Sequence, residues 1–440
     1  MKYYSTNGKA PIADLHKAVV KGLAEDRGLY MPEKINKLPK EFFDNIEKMS
    51  FQEIAYTVAS AFFGEDVDPD ALHDIVYDTL QFDCPVVNVK DNIYTLELFH
   101  GPTLAFKDVG ARFMARLLQY FIKQENNHKE VNVLVATSGD TGSAVANGFL
   151  GVDGIHVYVL YPKGKVSPIQ ECQFTTLGKN ITAIEVDGVF DDCQALVKNA
   201  FMDAELNEHM KLTSANSINV ARFLPQAFYY FNAYARMKEI ANTQHLSPNT
   251  QLVMCVPSGN FGNICAALFG HEMGLPIKRF IAANNANDIF YNYLQTGKYE
   301  PKLSKQTLAN AMDVGDPSNF ARIYDLYGKS HAKITSLISG ATYSDEQIKA
   351  TMRECYKDSG YILDPHGACG YQALKDGLQA GEVGVFCETA HPAKFKEKVD
   401  DILGIDVEIP ERLAAFMRGQ KQSVPMTKDF ADFKAFLMKQ

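Results

Sequence analysis

Four stretches of this chain combine residue types that chemistry requires. Residues 136–142 (ATSGDTG) and 256–263 (VPSGNFGN) each follow a short apolar run and precede a helical pattern. A glycine-rich turn at a helix N-terminus points free backbone N–H groups outward, and the helix dipole adds partial positive charge. Together these make a cradle for phosphate or carboxylate. Gly259 and Gly262 allow close backbone approach to an anion, and Asn260 and Asn263 bring amide donors. Neither turn fits G-x-G-x-x-G, and the chain has no G-x-x-x-x-G-K-[ST]. A dinucleotide or Walker-type triphosphate site is therefore not expected. Either turn alone reads equally well as an ordinary strand-to-helix connection; two of them, rich in Ser, Thr and Asn, favour anion binding.

The third stretch, 98–108 (LFHGPTLAFKD), sets Lys107 behind an apolar run at the start of the helical segment 109–121. A cation is disfavoured there by the dipole, and an apolar setting favours the neutral, nucleophilic amine that Schiff-base chemistry needs. Alone, Lys107 reads as a partly exposed lysine with a buried stem. The fourth, 387–395 (CETAHPAKF), places Thr389 just beyond an apolar strand, where a hydroxyl can face a ligand or simply close a turn. Lys163 and Lys165 in 161–165 (YPKGK), and Arg222 in 214–222 (SANSINVAR), are candidates for a second anion; by pattern alone they read as solvated charge. His391 and His366 are unresolved by pattern, and Ser330 with Lys333 matches S-x-x-K without that motif's partner sequences.

The elements that must position these residues alternate. Residues 131–137, 155–160, 181–186, 251–256, 278–282 and 384–387 read as buried strands. Helical patterns lie between them at 143–150, 193–204 and 264–274. Such alternation predicts α/β architecture, with parallel sheets covered by helices on both faces. Residues 12–22, 39–47, 50–63 and 69–80 carry apolar residues at helical spacing, with Asp68-Pro69 as a cap and first turn. The predicted division is a helical N-terminal domain (1–85), a large domain (86–129 with 222–440) and a small one (130–221).

Composition narrows the class. The chain has 440 residues, 46% hydrophobic and 22% charged, the ordinary globular mixture, and a prior of ~150 residues per domain allows about three domains. Lys plus Arg number 44 and Asp plus Glu 53, a net charge of −9, which disfavours general polyanion binding. The eight cysteines include no C-x-x-C pair and sit in apolar contexts, so reduced core thiols and a reducing compartment are expected. His366 and Cys369 have ligand-like spacing but no second pair, so no metal is expected. The N-terminal MKYYSTNGKAPI reads as no secretory signal, and the uncharged stretch 250–270 is broken by Pro257, Gly259 and Gly262. A soluble, cytoplasmic protein is expected.

Taken in order, HGPTLAFKD (100–108), ATSGDTGSA (136–144), PSGNFGN (257–263) and ETAHPAKF (388–395) resemble threonine synthases, pyridoxal-phosphate enzymes of the tryptophan-synthase-β fold type. The resemblance spans nearly the whole chain and includes the GLA-x-x-x-GL[YF]-x-P signature at 22–32, in which Arg27 stands where many members have Gly or an uncharged residue. It implies two parallel-sheet three-layer domains, the smaller one mobile. It implies that Lys107 forms the Schiff base with pyridoxal 5′-phosphate and shuttles protons. Gly259, Asn260, Phe261, Gly262 and Asn263 would hold the cofactor phosphate, and Thr389 would face the pyridine nitrogen. The 138–142 loop, with Ser138, Asp140 and Thr141, would take the substrate carboxylate near the cofactor's 3′-oxygen. The implied reaction converts O-phospho-L-homoserine and water to L-threonine and phosphate. Lys163, Lys165 and Arg222, helped by Asn216 and Thr103, are expected to hold the substrate phosphate. A monomer without nucleic-acid or membrane partners is expected. The alternatives are a serine or threonine dehydratase of the same fold type, or a silent cofactor-binding relative, against which the presence of Lys107 and Thr389 argues.

Overall fold

The computed structural model describes residues 1–127, 129–244, 247 and 249–440. The strands in chain order are Lys2–Ser5 (β1), Ala13–Asp14 (β2), Tyr30–Pro32 (β3), Val86–Lys90 (β4), Ile93–Glu97 (β5), Val131–Ala136 (β6) and Ile155–Pro162 (β7). Ile181–Asp187 (β8), Lys211–Ser214 (β9), Gln251–Pro257 (β10), Arg279–Asn284 (β11), Ile338–Thr342 (β12), Glu382–Glu388 (β13) and Val424–Thr427 (β14) follow. The chain forms two compact units, one of residues 1, 31–106 and 223–408, the other of 2–30, 107–222 and 409–440.

The first unit is built on a six-stranded sheet of order β12-β11-β10-β13-β5-β4. Every pairing is parallel except that of β4 with β5. β13 is buried at every position and β10 at all but its first, as a strand covered on both faces requires. β10 and β13 are neighbours in register, Cys255 opposite Phe386, so the segments leaving their carboxyl ends emerge side by side. These segments are the 258–263 turn and Thr389. The helices expected over 50–63 and 69–80 are Phe51–Phe63 and Pro69–Thr79. Ser50 and Glu53 close a capping box on the first, and Asp68 caps the second with Pro69 in its first turn.

The second unit is built on a five-stranded, all-parallel sheet, β14-β8-β7-β6-β9. β6 is buried throughout and leads into the 137–142 turn. Three segments fall here that the sequence pattern assigned to other domains. The helix Lys107–Gln124 lies against Asp140–Phe149, where a Cβ at Gly148 would meet the Ala111 backbone at 3.1 Å. The tail 409–440 adds β14 beside β8 and buries Phe433 and Leu437 among Leu134, Leu160 and Val186. Residues 2–30 belong here too, with the Asn219 amide donating to the Val19 carbonyl at 2.9 Å. Long-range contacts of this kind leave no local periodicity. Arg27 adopts φ 67, a left-handed conformation that explains why glycine suits this position.

Candidate active site

The 258–263 turn is shaped by its own side chains. Ser258 Oγ donates to Asn263 Oδ1 at 2.9 Å, Asn263 Nδ2 donates to the Pro257 carbonyl at 2.8 Å, and Tyr230 Oη donates to the Asn263 carbonyl at 2.9 Å. Asn263 Oδ1 also accepts from the Ile264 amide at 2.9 Å. The amide group that sequence reasoning offered to a ligand is thus spent on fixing the loop. Phe261 is left-handed at φ 64 and ψ 13 and caps the helix Gly262–Glu272, with its ring packed on Phe290 at 4.5 Å. A buried aromatic residue held at positive φ is strain of the kind that functional loops carry. Behind the loop, the Asn319 amide donates to the Asn260 carbonyl at 3.1 Å. Asn319 in turn accepts from Arg322 Nη1 at 2.8 Å. Arg322 is wholly buried over the Phe223 ring, and burial brings its pKa down to about 9.

What this construction leaves open is the backbone. Among the described residues, the amides of Gly259, Asn260, Phe261 and Gly262 have no hydrogen-bond acceptor. Four successive unsatisfied N–H groups at the head of an eleven-residue helix fit a phosphate. A Cβ at Gly259 would lie 2.5 Å from the Ala311 carbonyl oxygen, so no larger residue fits there without moving the loop.

The neighbouring strand end carries the second element. The Phe106 amide donates to the Thr389 carbonyl at 2.8 Å, Ala105 bridges Ala390, and the His391 amide donates to the Leu104 carbonyl at 3.0 Å. The residue preceding Lys107 is thereby fixed to Thr389. Lys107 is half-buried and opens its helix, as the sequence predicted. The Thr389 hydroxyl has no partner among the described residues, although Thr389 is only 6% exposed. It is a placed donor or acceptor at the carboxyl edge of the sheet. Thr103 is fully buried, and its carbonyl accepts from Lys394 Nζ at 2.8 Å. Lys394, itself fully buried, was not singled out by sequence; a lysine in the run AHPAKF gave no sign of burial.

In the second unit, Thr137 Oγ1 accepts from the amides of Gly139 and Gly142 at 2.9 and 2.8 Å. The Ser138 and Thr141 amides have no acceptor among the described residues. Asp140 does not face outward. It is 3% exposed, and its carboxylate accepts from Gln170 Nε2 at 3.0 Å. Asn216 Nδ2 donates to the Ala136 carbonyl at 3.1 Å and sits beside this loop. Arg222 is 2% exposed and donates from Nη1 to the Ala215 carbonyl at 2.7 Å. Lys163 and Lys165, beyond β7, are exposed. The structure thus groups 138–142 with Asn216, and sets Lys163 and Lys165 on solvent.

No cysteine is in a disulfide, and seven of the eight are buried. Among the described residues, no group of three or more His, Cys, Asp or Glu side chains is placed to hold a metal ion, and no helix is long and apolar enough to cross a membrane.

Comparison with known proteins matches this geometry. Residues 82–387 match the pyridoxal-phosphate dependent enzyme family, residues 2–80 the threonine synthase N terminus and residues 367–437 the threonine synthase C-terminal family. Threonine synthase of Serratia marcescens is 44% identical over 100% of this chain and 99% of its own length. The crystal structure of threonine synthase from Escherichia coli superposes with a TM-score of 0.92 at 43% identity, covering 100% of both chains. The pyridoxal-phosphate-bound threonine synthase of Brucella melitensis gives 0.90 at 34% identity, covering 100% of this chain and 99% of that one. Maize serine racemase, at 15% identity and a TM-score of 0.52, shares the fold alone. With its sheet architecture, its phosphate-sized row of amides and full-length likeness to these enzymes, the chain belongs to the pyridoxal-phosphate-dependent threonine synthases.

Proposed function

We propose the following division of labour for the conversion of O-phospho-L-homoserine and water to L-threonine and phosphate. The amides of residues 259–262 hold the cofactor phosphate, and Asn263 keeps the loop in shape. The observation that carries this reading is the row of four backbone N–H groups without acceptors at the head of a long helix. The Thr389 hydroxyl would be the neutral partner of the pyridine nitrogen, which would not force full protonation of the ring, as a carboxylate would. When bound, pyridoxal phosphate supplies an electron sink for the substrate's carbon skeleton.

Lys107 would hold the cofactor covalently, and its amine would take the proton from the substrate's Cα. One flexible base then serves the successive proton transfers that release phosphate and admit water at Cβ. The hydrogen bond from Phe106 to Thr389 sets the origin of that side chain. The Ser138 and Thr141 amides take the substrate carboxylate, and Asp140 acts by bracing Gln170 rather than by touching substrate. Arg222 and Asn216, with Lys163 and Lys165 of the same unit, supply the field that receives the substrate phosphate. We place the enzyme in the cytoplasm as a monomer acting on small molecules without a nucleic-acid partner; its buried, unbridged thiols support the compartment, and its net charge of −9 the lack of a polyanion partner.

Borohydride reduction of the holoenzyme, followed by peptide mapping, tests the assignment. The pyridoxyl group is expected on Lys107. A label on any other lysine removes Lys107 from its role.

A further inference from the structure

Three buried titratable residues near the cradle take no part in the chemistry just described. Glu388 is the last residue of β13, directly before Thr389, and is wholly buried. One of its carboxyl oxygens, Oε1, accepts from the Asp364 amide at 2.6 Å. The other, Oε2, is buried without a hydrogen-bond partner among the described residues. Gly367 makes the room for it, since a Cβ there would lie 1.7 Å from Oε2. Asp364, also wholly buried, caps the helix Pro365–Gly377 by accepting from the Gly367 amide at 2.7 Å. Its second oxygen meets His366 Nδ1 at 2.5 Å. His366 Nε2 accepts from the Ala311 amide at 3.1 Å, so the proton of a neutral ring lies on Nδ1 and points at Asp364. The Ala311 carbonyl is the group pressed against Gly259. A continuous path therefore runs from the strand end bearing Thr389, through Glu388, Asp364 and His366, to the turn that backs the first cradle residue.

We propose that Glu388, Asp364 and His366 are positioning residues that lock the Thr389 strand end and the 259–263 cradle into one frame. This rests on reading that loop as the cofactor-phosphate site. The relay needs a neutral Glu388, because a buried carboxylate oxygen without a donor is far costlier than a buried carboxyl group. Burial, and then the adjacent Asp364, push the Glu388 carboxyl well above the carboxylate range. The other titratable groups facing the cluster act in the same direction or lie at its edge. Glu97 is the register partner of Glu388 on β5 and accepts from Tyr361 Oη at 2.6 Å and from His100 at 3.1 Å. Asp313 interacts electrostatically with His366 and is held by Asn285 and Thr307.

The test is titration of the apoenzyme with pyridoxal phosphate, followed by absorbance and by circular dichroism of the bound cofactor. His366→Ala is expected to raise the cofactor Kd about tenfold, the equivalent of one lost hydrogen bond. His366→Gln, which can accept from Ala311 and donate to Asp364, is expected to restore it to within about threefold, at unchanged KM for O-phospho-L-homoserine. Glu388→Gln keeps a neutral side chain at every pH. The unmodified enzyme is expected to show a rise in cofactor Kd at alkaline pH, and Glu388→Gln is expected to abolish it; no rise in the unmodified enzyme also overturns the proposal. An unchanged Kd in His366→Ala, failure of Gln to restore it, or the same alkaline rise in Glu388→Gln overturns the relay. Gly259→Ala, run alongside, separates the two readings. Lost affinity there with none in His366→Ala rejects the relay and keeps the cradle, whereas unchanged affinity in both rejects the cradle as well.

Discussion

The two glycine-rich turns, 258–263 and 137–142, look alike in sequence and differ in construction. In the first, the polar side chains turn inward and the backbone faces out: Asn263 and Ser258 bond within the loop, and four amides remain open. In the second, Thr137 consumes two of the loop's amides, and Asp140 closes onto Gln170. The first suits a tightly held group with several oxygens. The second suits a smaller anion that must come and go. The lesson is that a loop's composition proposes an anion, whereas its internal hydrogen bonds decide how firmly the anion is held.

The sharpest way to break the contrast is at its glycines. Gly259→Ala puts a methyl 2.5 Å from a backbone oxygen, so cofactor affinity is expected to fall by at least about a hundredfold, read by titrating the apoenzyme. The corresponding Gly139→Ala strains a residue at φ 143 and crowds the flexible Gln170. It is expected to raise the KM for O-phospho-L-homoserine about tenfold while leaving the cofactor Kd within about threefold. Equal losses of cofactor in both variants would erase the distinction.

Asn263→Ala sharpens the account of loop construction. It removes three internal bonds without touching the outward amides. A loss of roughly 1–3 kcal/mol in stability with a smaller loss of cofactor affinity is expected, measured by denaturant unfolding. Arg222→Ala tests the second anion, and a several-fold rise in KM is expected at steady state. Unchanged KM and kcat would leave Arg222 as a structural brace, Ala215 among its partners.

The smallest expected effect is a pH dependence. Burial lifts the Asp313 carboxyl from 3.8 to about 6, so the folded state holds that proton more tightly than the unfolded chain. Stability from this group is full below the unfolded value, falls as pH rises through the window between them, and is lost above about 6. Asp313→Asn is expected to remove that decline, seen by comparing unfolding midpoints across the window.

Much of this was legible in sequence. The buried strands 131–136 and 251–257, both turns, Lys107 at a helix start and Thr389 at a strand end all follow from local apolar runs and their punctuation. What was not legible depends on residues far apart in the chain. Asp140 is turned aside by Gln170, thirty positions away, and Glu388 is housed by the absence of a side chain at Gly367. Arg322 carries no local mark of being buried beneath the cradle, and β14 joins its sheet from the far end of the chain.

The most direct measurement is product analysis after incubating the purified holoenzyme with O-phospho-L-homoserine. The account predicts phosphate and L-threonine in equal yield. Phosphate accompanied by ammonia and a 2-oxo acid, with no threonine, would contradict it and make the site a dehydratase.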